Sequence, residues 1–152
     1  MKNENKTARE IIPGVSLLEH TSDIGIHVTA PDTSRLMEKS ALGMMALIMG
    51  GQGPCLGMSL INKKMLIDGM NREELLNNFL SELLYLLDGE GLLLTGFDQC
   101  AFEDGMLHCQ ARFAFLKDAG LTINTPVKAV THHKMNIKKI DGVFHVDIIF
   151  DV

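Results

Sequence analysis

Two Asp-Gly pairs, Asp104-Gly105 and Asp141-Gly142, stand inside runs of alternating apolar residues. That dipeptide suits the left-handed backbone of a two-residue hairpin loop, so each pair predicts two antiparallel strands in a register set by the turn. Around Asp104-Gly105, Phe102 faces Leu107 and Cys100 faces Cys109. Around Asp141-Gly142, Ile137 faces Val146, Met135 faces Ile148 and His133 faces Phe150. Apolar meets apolar in both hairpins, and a slip of one residue turns each set to the wrong side. The second register also puts Lys128, Val130, His132, Lys134 and Lys138 on the other, polar face, with Asp151 opposite His132.

The rest of the chain supplies two helices and shorter strands. Leu36, Ser40, Ala41, Met44, Leu47 and Ile48 share one side of a helix over 33–49, capped by Thr33 or Ser34 and stopped by Gly50-Gly51. Leu75, Leu76, Phe79, Leu80, Leu83, Leu84 and Leu87 form the stripe of a second helix. It starts at Asn71, three residues before Glu74 as in a capping box, and is expected to end at Asp88-Gly89. Residues 15–19 and 24–30 read as short strands, and 56–67 as a strand pair or an irregular ribbon. The order β-β-α-β-α-β-β-β-β predicts an α+β fold: a mainly antiparallel sheet with two helices packed on one face, in a single domain over 15–152. Residues 1–14 read as a flexible N-terminal extension.

Composition narrows the function. No apolar run approaches the roughly 18 residues that cross a bilayer, and the polar opening "MKNENKTARE" does not read as a secretory signal, so no membrane partner and a cytoplasmic location are expected. Three cysteines without a CxxC pair argue against a disulfide framework or a zinc ribbon. Cys100 and Cys109 read as small core residues, close enough for a bridge but expected reduced. A net charge of −5 makes a protein partner or a metal ion a better expectation than a grip on RNA phosphates.

One stretch concentrates polar chemistry: "LEHTSDIGI", Leu18 to Ile26, with two acids, a histidine and two hydroxyls ahead of an apolar strand. On the residues alone Asp23 reads as a turn acid accepting backbone N–H bonds, Asp151 as a tail acid and Lys128 as a solvated strand lysine. Taken together, "LEHTSDIG", "VKAVTHHKM" and the closing "FDV" resemble the archease family, whose patterns are EHTADIG, KAxTYHxM and an Asp followed by a final aliphatic residue. The similar layout spans nearly the whole chain after residue 15. Two positions depart from the patterns: Ser22 stands where the family has Ala, and His132 where it has Tyr.

The resemblance implies an accessory protein, not an enzyme. It would activate an RtcB-type RNA ligase in tRNA splicing and RNA repair, promoting guanylylation of the ligase and multiple turnover. Its partner is then the ligase, with tRNA or broken RNA reached only through it. The resemblance further implies a divalent cation, calcium, at Asp23, Asp151 and Val152, and a partner-contact role for Lys128. Such a hard cation takes several oxygens, which two carboxylates, a chain-end carboxylate, loop carbonyls, Thr21 and Ser22 could supply. His20 and His132 are candidate supports. Adjacent strand residues point to opposite faces, so His132 and His133 do not share one zinc ion, and His133 reads as half-buried. Two other functions stay open: a chaperone-like protein-binding module using its methionines, and an independent metal-dependent hydrolase. The second has no HExxH motif and no Gly-rich phosphate loop behind it.

Overall fold

The computed structural model describes residues 9–18, 23–52 and 59–152. In chain order the elements are β1 (Glu10–Ile12), β2 (Val15–Leu17), β3 (Ile24–Ala30), α1 (Thr33–Met49), β4 (Ile61–Ile67), α2 (Arg72–Glu90), β5 (Leu92–Glu103), β6 (Met106–Phe115), a short α3 (Leu116–Ala119), β7 (Ala129–Val130), β8 (Lys138–Ile140) and β9 (Val143–Asp151). The fold is α+β, as expected, and its strand pairing is antiparallel throughout. The strands form two sheets where the sequence suggested one. The first runs β1-β2-β3-β9, with β7 and β8 both on the far edge of β9; the second runs β4-β6-β5. β1 lies within the segment expected as an extension and pairs with β2.

The two long helices join the sheets. α1 packs against β3 of the first and β5 of the second, while α2 packs against β5 and β7. One apolar cluster results, with Ile26, Val28, Leu36, Met44, Phe79, Leu83, Phe113 and Ile148 essentially inaccessible to solvent. Ser34 is not the cap of α1. Asp32 is, accepting the Arg35 amide at 2.7 Å, and the Ser34 hydroxyl instead accepts the amide of Phe102 at 2.9 Å, tying the helix to β5. At α2 the predicted cap holds: Asn71 Oδ1 accepts the Glu74 amide at 2.8 Å, and Glu74 reaches back to the amide of Met70. The helix runs past Asp88-Gly89 and stops at Gly91, which takes the left-handed φ of 67° that closes the last turn. Within 56–67 the described structure is the single strand β4; residues 53–58 lie outside the described residues.

The first hairpin has the predicted register, with Phe102 paired to Leu107 and Cys100 to Cys109. The two thiols are free and 3.5 Å apart. The hydrogen bond with Cys109, followed by burial, pushes the Cys100 thiol far above its ordinary range, so it stays protonated.

The second hairpin keeps its predicted register only over Lys138–Ile140, where Lys138 faces His145. Upstream the chain leaves β9. Residues 133–134 make a turn, with Lys134 at a left-handed φ of 57°, and the Met135 amide bonds back to the His132 carbonyl at 3.3 Å. Pairing resumes at β7 in another register, so Ala129, not His132, lies opposite Asp151. Val130 is buried instead of lying on a polar face, and His133 is exposed instead of half-buried. Met135 and Ile137 still reach the core, but from a loop and not from a ladder.

Close backbone approach is a further constraint on β3. A Cβ on Gly25 would lie 2.6 Å from the Ile148 carbonyl oxygen and 2.8 Å from Leu18 Cδ1. Gly25→Ala is therefore expected to cost about 1–3 kcal/mol through forced strand displacement. Urea denaturation measures it, and a change near zero would show that the β3–β9 contact yields freely.

Candidate functional site

The site follows from one strand pair. β3 and β9 are antiparallel neighbours, with Ile24 opposite Phe150, Ile26 opposite Ile148 and Val28 opposite Val146. These residues point inward. Alternation then turns Asp23, His27, His145, Asp147 and Asp151 to the other side. The β3–β9 ladder ends at the Ile24–Phe150 pair, and Asp23, in the bend before β3, and Asp151, the last residue of β9, each lie one residue beyond it. Both aspartates are exposed.

The other edge of β9 brings in the second motif. Ala129 faces Asp151, the Lys128 amide donates to the Asp151 carbonyl at 2.7 Å, and the Thr131 amide donates to the Ile149 carbonyl at 3.0 Å. Asn77, a buried polar residue within the leucine stripe of α2, holds this short strand from below, its side-chain amide donating to the Val130 carbonyl at 3.3 Å. Sequence reasoning passed over Asn77, although an amide inside so apolar a stripe was its signal. Lys128 is exposed beside the Asp151 backbone, and Val152 follows β9 directly. His132 is exposed in the loop after β7 and is not the partner of Asp151. His20, Thr21 and Ser22 lie outside the described residues.

Chemically the end of this sheet offers oxygen. Among the described residues no three His, Cys, Asp or Glu side chains converge as a metal-ligating group. Two adjacent carboxylates with main-chain oxygens beside them suit a hard cation such as calcium better than zinc, which prefers nitrogen and sulfur. Opposite Ile149, the buried Thr131 hydroxyl oxygen has no hydrogen-bond partner among the described residues.

The comparisons with known proteins bear on the same residues. Residues 16–152 match the model of the archease protein family (MTH1598/TM1083). The chain belongs to the archease family. An archease from Pyrococcus furiosus is 32% identical over 143 residues, covering 88% of this chain and 95% of its own. An archease from Methanosarcina mazei is 25% identical over 139 residues, covering 89% and 93%. Among solved structures, Methanobacterium thermoautotrophicum protein 1598 superposes with a TM-score of 0.67 at 25% identity, covering 93% of this chain and 100% of that one. A Thermotoga maritima archease, described as a possible chaperone, superposes with a TM-score of 0.62 at 18% identity, covering 89% and 94%. The archease match takes in all three motifs of this chain, and the two that meet at the end of β9 are far apart in sequence.

Like charges directly opposed across a strand pair destabilise it. In chelator, Asp151→Asn is expected to raise stability by about 0.2–1 kcal/mol. Denaturant titration measures this, and a loss of stability would mean that the Asp151 carboxylate has a favourable partner even without added ion.

Proposed function

We propose that this archease-family chain is a cytoplasmic activator of an RtcB-type RNA ligase in tRNA splicing and RNA repair. It promotes guanylylation of the ligase and multiple turnover and carries out no reaction of its own. A calcium ion held by Asp23, Asp151 and Val152 would tie the first loop to the last strand. Lys128 would meet the ligase or the phosphates of its nucleotide, where a compact positive charge is suitable. The observation that supports this reading is that Asp23 and Asp151 each lie one residue beyond the last β3–β9 pair, with the Lys128 amide bonded to the Asp151 carbonyl.

The energetic demand is modest. A tenfold faster step needs only about 1.4 kcal/mol of barrier reduction, within reach of a docked partner that positions an ion or a nucleotide. Single-turnover guanylylation of purified ligase tests the proposal. Asp23→Ala, Asp151→Ala and Lys128→Ala are each expected to lower stimulation by about tenfold or more. Undiminished stimulation by all three would sink the assignment.

Calcium titration by calorimetry checks the ion separately. Asp23→Asn and Asp151→Asn should each weaken binding. Heats equal to those of the unaltered protein in both variants would remove calcium from this site.

The Thermotoga maritima relative's description as a possible chaperone supports a second reading, a protein-holding module. The methionines weigh against a client surface built from them. Met37, Met44, Met45 and Met49 are buried, and among the described residues Met70 is the exposed one. Client holding that survives Asp23→Ala would favour this second reading.

A further inference from the structure

Halfway along the same sheet face lies a polar cluster that the strand-end site does not use. His27 on β3 lies opposite Asp147 on β9, with Nδ1 2.6 Å from Asp147 Oδ1. Its Nε2 is 3.3 Å from Nδ1 of His145. With Asp147 accepting the Nδ1–H, His27 Nε2 accepts from His145, so the carboxylate fixes both rings. On the other side of His145 stands Lys138. The loop that leaves β9 at residues 131–137 completes a cavity of about 480 Å³ with Lys134 and Asn136. His27 and Asp147 are four residues along their strands from Asp23 and Asp151, about 13 Å at about 3.3 Å per residue. The two places are therefore distinct.

The sign of the charge decides what this cavity takes. Two imidazole nitrogens 3.3 Å apart have a spacing that one metal ion could bridge. Two lysines line the same cavity, however, and its one acid is already engaged by His27. Among the described residues neither Lys134 nor Lys138 has an acidic partner within 4.0 Å. Two ammonium groups repel a cation and attract an oxyanion, and the lysine ammonium and Asn136 amide N–H groups are donors that phosphate oxygens accept from. A volume of this size admits a phosphate together with part of what it is attached to. We propose that Lys134, Lys138 and Asn136, over a wall formed by the His27 and His145 rings, make a pocket for the phosphate group of a nucleotide or of RNA. A net charge of −5 is consistent with one local phosphate contact and not with a track for a nucleic-acid backbone.

The test uses the full chain in calcium-free, chloride buffer with no ligase present, so its failure leaves the activator reading untouched. Imidazole resonances of His27 and His145 are followed by NMR during titration with inorganic phosphate, adenosine monophosphate, and a short oligoribonucleotide with or without a 5′-phosphate. Saturable shifts are expected. The double variant Lys134→Gln, Lys138→Gln should weaken binding at least tenfold, while Lys64→Gln on β4 should leave it unchanged. Preference for the 5′-phosphorylated over the hydroxyl-ended oligonucleotide would identify a terminal phosphate, and equal binding a backbone diester; either supports the pocket. No saturable shift with any probe, or equal affinity in the double variant, overturns it. Shifts produced by zinc but by no phosphate would overturn it in favour of a two-imidazole metal site.

Discussion

The pairing of β3 with β9 is the constraint on which both polar clusters depend. It runs through seven consecutive residue pairs, from Ile24–Phe150 to Ala30–Phe144. On the inner side Ile26, Val28, Val146, Ile148 and Phe150 are all buried beneath the helices. A slip of one residue would drive Asp23, His27 and Asp147 toward that apolar interior, where uncompensated polar groups cost several kcal/mol or more. Hydrophobic packing on one side therefore sets the positions of the charged groups on the other. No polar contact needs to specify them.

The far edge of β9 is less regular, and its irregularity matters chemically. β7 and β8 share this edge in different registers, and the chain between them bends away at residues 131–137. The bend leaves His132 and His133 exposed, brings the Lys128 amide to the Asp151 carbonyl and opens the cavity under Lys134. An unbroken hairpin would have covered that cavity with strand. Asn77 holds the short return strand to α2, so a buried amide on a helix supports the strand that flanks Asp151.

Local chemistry explains what could be read in advance. The first hairpin, the Asn71 cap and the leucine face of α2 depend on residues within a few positions of one another, and the structure agrees with them. The end of α2 was misplaced because Gly89 is tolerated inside the helix, while Gly91 takes the left-handed turn. The second hairpin was legible near its turn and not beyond it. There the bend at Lys134 and the pull of α2 on Val130, set by distant parts of the chain, override simple alternation. For the strand-end residues, composition and spacing pointed to nothing beyond a turn acid, a tail acid and a surface lysine; their grouping came from the family's motifs. The histidine cluster went unread, since His27 and Asp147 are separated by 120 residues and each has an ordinary place in an alternating strand.

By itself the sequence determined the elements, the faces they bury and membership of the archease family, because periodicity, turn residues and motifs are written along the chain. Which distant strands became neighbours was decided only by the tertiary structure. Burying one continuous apolar core forces β3 against β9, and that pairing brings His27 on one strand against Asp147 and His145 on the other.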